Sequence, residues 1–303
     1  MNPVTGILLK LGSVFLFTVM AAVLKATAPL VPAGEQMFFR SLFAIPVILV
    51  WLALRGELAT GLKARDPMAH VYRGIIGSIA MGTGFAGLGL LPFPEATALG
   101  YAMPLLTVIF AGMFLGERVR GFRMSMVAIG LIGVLIVLSP RLSVSAGDVT
   151  MAETLGAMFT LTGAAFGALA QIFISRMVQV ERTSAVVFWF SVTATVLSLV
   201  TLPFGWIVPD ARTAALLMAC GVMGGAAQIM LTSSYRHADA SLVAPFDYAS
   251  MVMALAIGWF VFDEGASARM LAGAAIIIAA GVAIILRERR LGISRARRAG
   301  TPR

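Results

Sequence analysis

The sequence predicts an all-α membrane protein: ten transmembrane helices, arranged as two inverted-topology five-helix repeats, with both termini cytoplasmic. Three observations lead there. The 303 residues are 59% hydrophobic and 12% charged, with a mean hydropathy of +0.94. A soluble domain carries about 25% charged residues, so the bilayer is the solvent this composition requires. Apolar runs of about 20 residues, enough to cross the hydrocarbon core, recur along the chain. Finally, one stretch occurs twice. YAMPLLTVIFAGMFLGE at Tyr101 to Glu117 is echoed by YASMVMALAIGWFVFDE at Tyr248 to Glu264, with Tyr, Ala and the closing Glu in register. Each copy holds the same place within its half, as related halves require.

The predicted helices run over about 5–27, 35–54, 71–91, 95–115, 122–139, 155–177, 184–204, 213–234, 240–262 and 269–287. Short connections bear Pro, Gly or charge, as at Pro29 and Pro32, Pro92 and Pro94, Pro140, and Pro203 with Pro209. Residues 1–142 form the first repeat, 150–288 the second, and 289–303 a basic cytoplasmic tail. Lys10, an apolar stretch and Ala26-Thr27-Ala28 resemble a secretory signal with a cleavage site. A removable signal needs no counterpart, however, and Gly156 to Arg176 resembles this span, with Gly12 meeting Gly163 and Lys25 meeting Arg176.

Lys and Arg set the orientation. With cytoplasmic termini, inner segments hold Arg55, Lys63, Arg65 and Arg73; Arg118, Arg120 and Arg123; Arg176 and Arg182; Arg236; and the arginines from Arg287 to Arg303. Outer segments hold Arg141, Arg212 and Arg269. Five helices per half is odd, so the second half enters from the opposite side. The charges agree: helix 4 is followed by basic Gly116-Glu117-Arg118-Val119-Arg120, whereas its echo is followed by acidic Asp263-Glu264.

The paired halves, the YAMP…FLGERV ending of helix 4, the FFR at Phe38 to Arg40 and the echo ending FDE resemble the drug/metabolite transporter superfamily, in its ten-helix EamA-like branch. The resemblance covers roughly residues 5 to 288. It implies secondary transport, commonly export, of neutral or aromatic amino acids or other small metabolites through a central cavity in the inner membrane. One departure is Met251, which stands where the first copy has Pro104, so the kink expected in helix 4 is expected to be absent or displaced in helix 9.

Ionisable and amide side chains within the runs are the candidate site, since each buried charge costs about 2.5–3.5 kcal/mol at a helix centre. Asp247 follows Pro245 in helix 9 and shares a face with Met251, Ala254 and Gly258. It reads as a cavity carboxylate for an ammonium group or a proton, as the partner of a neighbouring helix, or as a hydrated group near the cytoplasmic boundary. Arg40 reads as a snorkelling cation or a partner of Glu35, with anion steering as the alternative. Lys25 and Lys10 stand near opposite ends of helix 1 and read as snorkelling charges. Gln171 and Gln228 share faces with Gly163 and Gly167 and with Gly221, Gly224 and Gly225. They serve close packing, hydrogen-bond a zwitterion, or both. Tyr101 and Tyr248, set by the inversion toward opposite halves of the membrane, read as gates or stacking surfaces on opposite sides of a central site, or as interfacial aromatics at headgroup depth. Pro104, Pro245, Gly82 and Gly84 are the candidate bending points.

No phosphate loop, His-Glu-x-x-His pair or nucleophile elbow is present, so ATP driving, a metal centre and intramembrane hydrolysis are not expected. Cys220 is the only cysteine, and His70 and His237 fall in predicted connections. No cofactor is implied. The net charge of +9 sits at the ends of apolar runs rather than on one face, which argues against nucleic acid. The expected partners are a small-molecule substrate and the lipid bilayer, with a homodimer as one reading of the small-residue stripes. The alternatives are efflux of cationic drugs, uptake of another metabolite, and, least favoured, a membrane enzyme or assembly factor.

Overall fold

The computed structural model describes residues 3–115, 121–142, 150–177, 180–237 and 244–299. These are helical throughout apart from short turns. The helices are α1 (Pro3–Thr27), α2 (Ala33–Leu42), α3 (Ala44–Leu54), the single turn α4 (Leu58–Gly61), α5 (Pro67–Leu90), α6 (Phe93–Gly100), α7 (Ala102–Leu115), α8 (Gly121–Leu142), α9 (Met151–Met177), α10 (Thr183–Ser198), α11 (Ala211–His237), α12 (Ala249–Phe262) and α13 (Ala268–Ala299). Tight 3-10 turns extend α10 over Leu199–Thr201 and precede α12 over Ala244–Tyr248.

Among the described residues, eight helical stretches are long and apolar enough to cross a membrane, and the apolar helix Phe246–Phe262 is shorter. The 24-residue α5 is not one of the eight: its glycines, His70 and Arg73 dilute it. This helix also begins earlier than hydropathy suggests. Asp66 Oδ1 accepts a bond from the Ala69 N–H at 3.1 Å, and Pro67 fills the first position, where no N–H is needed. His70 therefore lies buried inside a helix, and not in the connection expected for it.

Two apolar runs are each split into a pair of helices, for one physical reason. Pro46 and Pro104 lack the N–H that would bond the carbonyl four residues back, and their rings crowd it. Those carbonyls belong to Leu42 and Gly100, the last residues of α2 and α6. The chain therefore breaks at Phe43 and at Tyr101. The echo is interrupted in the same register without a proline at Met251, because the 3-10 turn Ala244–Tyr248 ends at Tyr248, where α12 begins. Of the two expectations for this helix, a kink absent or displaced, neither describes the tight turn that stands in the same register. Glu117, which ends the first copy, lies outside the described residues.

The most extensive packing is α5 along α9, α1 along α11, and α8 along α13. Small residues set these distances. A Cβ on Gly163 would meet the Gly84 nitrogen at 3.0 Å. At the α8–α13 crossing, a Cβ on Gly273 would lie 2.7 Å from the Gly133 carbonyl oxygen, and one on Gly133 2.8 Å from that of Gly273. Backbone cannot yield as a side chain does. Gly273→Leu is therefore expected to destabilise the fold by at least about 3 kcal/mol, the upper end for overpacking. Gly84→Ala, whose added carbon meets nothing within 4 Å, should change it little. Thermal unfolding of the two purified variants in detergent tests the contrast.

Candidate substrate cavity

A cavity of about 610 Å³ lies inside the bundle, bordered by α1, α6, α7, α9, α11, α12 and α13. Its walls are mostly apolar, with Phe17 and Phe93 among them, and its polar groups include Lys10, Tyr101, Gln171, Asp247, Tyr248 and Ser250. A few convergent polar groups in an apolar chamber of this size are what small-molecule sites present. Pro104 lines it too.

The two repeat-related tyrosines meet in its wall. Their rings are 5.1 Å apart at 65°, an edge-on pair. They touch each other, so they do not stand on opposite sides of the chamber as separate gates or stacking surfaces would. Each sits at the break of its own run, and the breaks are brought face to face. The Ser250 hydroxyl donates to the Asp247 carbonyl at 2.7 Å, so its single proton is used. The Tyr101 hydroxyl must therefore be the donor in its 2.6 Å bond to Ser250 Oγ. Tyr101→Phe is expected to cost about 1 kcal/mol, the net worth of such a bond, read as a lowered melting temperature.

Lys10 and Asp247 form the cavity's ion pair, Nζ to Oδ1 2.7 Å. The lysine side chain is 2% exposed and the aspartate 47%. Lys10 thus turns inward instead of snorkelling, because its carboxylate partner lies inside. Asp247 is drawn into the wall by the tight turn that precedes α12 and keeps one side open.

A second ion pair sits beside Phe93, which borders the chamber. Lys25 Nζ lies 2.9 Å from Glu264 Oε1 and donates to the Leu91 carbonyl at 2.5 Å, while Glu264 Oε2 accepts from the Phe93 N–H at 2.5 Å. Glu264 therefore caps α6 and neutralises Lys25 together. Asp263 aims it there: its left-handed backbone, φ 54°, ends α12 and turns the chain back. Asp tolerates that conformation better than most side chains. Phe93 packs on Phe262 at 5.9 Å beneath this latch. Lys25, like Lys10, is paired rather than snorkelling.

The remaining candidates are elsewhere. Gln171 lines the cavity and Gln228 does not. Gly82 and Gly84 sit within an uninterrupted α5, where Gly84 backs onto Gly163. Pro245 lies in the 3-10 turn. Arg40 does not pair with Glu35, whose carboxylate accepts from the Ile207 N–H at 3.1 Å, and its 6% exposure excludes snorkelling. Sequence reasoning missed Ser250, Arg73 and the partners of Lys10 and Lys25. Only the closing acid of the echo hinted at Glu264.

A many-helix apolar bundle around a solute-sized chamber defines a multi-pass integral membrane protein built to handle a small molecule. The chain matches the EamA-like transporter family twice, over residues 4–139 and 154–287, and it belongs to that family. It is 30% identical over 278 residues to a pseudopaline exporter of Pseudomonas aeruginosa, covering 90% of this chain and 93% of that one. It is 28% identical to an S-adenosylmethionine uptake transporter of Rickettsia conorii, covering 80% of each chain. A riboflavin transporter of Rhizobium johnstonii is 29% identical, covering 82% of this chain and 79% of that one. A crystal structure at 20% identity matches with a TM-score of 0.67 over 96% of this chain and 99% of its own, which concerns the fold alone. The protein is accordingly a metabolite transporter of the bacterial inner membrane, not an enzyme.

Proposed function

We propose that this chain is an alternating-access carrier that exports amino acids or closely related zwitterionic metabolites. It is built from inverted halves, residues 1–142 and 150–288, with cytoplasmic termini. The observation that carries the substrate reading is the Lys10–Asp247 pair in an aromatic-lined chamber. A zwitterion offers a carboxylate to Lys10 and an ammonium to Asp247, so it can replace each partner of the pair without leaving a bare charge in the membrane. Tyr101, Tyr248 and Phe17 supply faces for an apolar or aromatic side chain.

Packing supports two related halves. Exchanging each helix for its counterpart turns the α1–α11 pair into the α9–α5 pair and leaves α8–α13 unchanged, and these are the three dominant contacts. The two separate family matches and the breaks at Tyr101 and Tyr248 agree with this. The Lys25 end is then the closed outer face, and the half-exposed Asp247 opens toward the cytoplasm. Lone organic cations fit less well, because Lys10 places a like charge in the same chamber.

The test is counterflow of a panel of labelled amino acids in proteoliposomes. Saturable exchange of several of them, lost on Asp247→Asn, supports the reading. A folded protein that exchanges none of them, but exchanges an organic cation, sinks it.

A further inference from the structure

Outside the cavity, two arginines lie buried with no acid paired to them among the described residues. Arg40 on α2 is 6% exposed and Arg73 on α5 is 7% exposed. Their guanidinium carbons lie 5.8 Å and 4.2 Å from the ring centroid of the same residue, Phe190 of α10. Among the described residues, no carboxylate comes within 4.0 Å of either. Glu181 Oε1 accepts from the Arg65 and Asp66 N–H groups, with His70 Nε2 3.6 Å away, while its Oε2 is buried without a hydrogen-bond partner and more than 4.0 Å from either guanidinium. Arg40 Nε and Arg73 Nε and Nη1 are buried without a hydrogen-bond partner.

Such an arrangement is unfavourable as it stands. Each guanidinium has left water without a counter-charge, and the two repel across a low-dielectric gap. One phenyl ring weakly favours both cations but cannot satisfy their N–H donors. The packing nonetheless makes room for the pair. A Cβ on Gly224 would lie 3.1 Å from Arg40 Nε, and a Cβ on Gly77 would run into Arg73 Nη1. The guanidiniums occupy space that only glycine leaves, and none of these residues lines the 610 Å³ chamber.

We propose that Arg40 and Arg73 bind a small monovalent anion, of chloride size, as a second site between α2, α5 and α10. An anion there neutralises both charges and accepts from their unpaired N–H groups at once. The tight contacts at Gly224 and Gly77 leave no room for a solute-sized molecule, so the anion proposed is a small one.

The test uses full-length protein in nanodiscs, with radiolabelled chloride as the probe in equilibrium dialysis. About one chloride per chain should bind saturably. Arg40→Gln and Arg73→Gln should each weaken binding about tenfold or more, while Asp247→Asn, in the other site, should not. Wild type should also melt at a higher temperature in chloride than in lactobionate of equal ionic strength, since a ligand of the folded state stabilises it. That comparison needs no variant, so it holds even if the arginine variants fail to fold. The proposal is overturned by equal melting in the two salts without saturable chloride uptake. It is also overturned by full chloride binding in an Arg40→Gln/Arg73→Gln double variant.

Discussion

Asp247→Asn is expected to abolish saturable counterflow and to lower the stability of the fold, whereas Lys10→Gln should impair transport with a smaller loss of stability. The asymmetry follows from burial. Lys10 is 2% exposed, so the carboxylate it loses is one that water cannot readily replace. Asp247 is half-exposed, so on losing Lys10 it can turn to water. Breaking a fully buried pair costs about 3–5 kcal/mol and a surface pair about 0–1 kcal/mol; a pair buried at one end should fall near 2 kcal/mol for Asp247→Asn and below 1 for Lys10→Gln. A Lys10→Met/Asp247→Leu double variant, with both charges gone, should regain most of the stability and none of the transport. Melting temperatures and counterflow on the same four proteins check this. Equal destabilisation by the two single variants would show that the pair is not shielded as its exposures indicate. Full transport by Asp247→Asn would remove the aspartate from the site.

Much of the fold was legible because hydropathy, proline and charge are local signals. The helix ends of α1, α9 and α11 lie within a few residues of the runs read from the sequence. Pro104 announced the break that Gly100 and Tyr101 make. What could not be read is which side chains meet across helices. Nothing near Lys10 in sequence points to Asp247, and nothing near Lys25 points to Glu264, because those pairings depend on how distant helices cross. A lysine near the end of an apolar run looks the same whether it reaches headgroups or a carboxylate. Tyr101 and Tyr248 are paired by register, but their contact is not legible in the sequence. A repeat relates two positions without saying that they touch. Arg40 reads from the sequence as snorkelling or paired with Glu35, because both choices are local, yet Glu35 accepts from the Ile207 N–H and the buried arginine lies over Phe190.

Glu264→Gln is expected to open the Lys25 end of the chamber. Three contacts hold that end: the Lys25–Glu264 pair, the Lys25 bond to the Leu91 carbonyl, and the Phe93 N–H on Glu264. Glutamine preserves the size of the side chain and can still accept from Phe93, so the α6 cap survives. Lys25, 11% exposed at the side chain, then loses its neutralising charge only while the end is closed; once open, it reaches water. The full loss therefore falls on the closed state. At about 3 kcal/mol, the lower figure for a buried pair, the balance shifts on the order of 100-fold toward opening. The readout is a cysteine at Thr97, which lines the chamber, in a Cys220→Ala background, probed from the Lys25 face with a membrane-impermeant maleimide. Labelling should be slow while Glu264 is present and at least about tenfold faster in the Glu264→Gln variant. Lys25→Met should differ: it removes the strained charge itself, leaves Glu264 on the Phe93 cap, and speeds labelling less. An unchanged rate in both variants would mean that the ion pair rides on a closure held by other contacts, the Phe93–Phe262 packing foremost, and that the charges only decorate it.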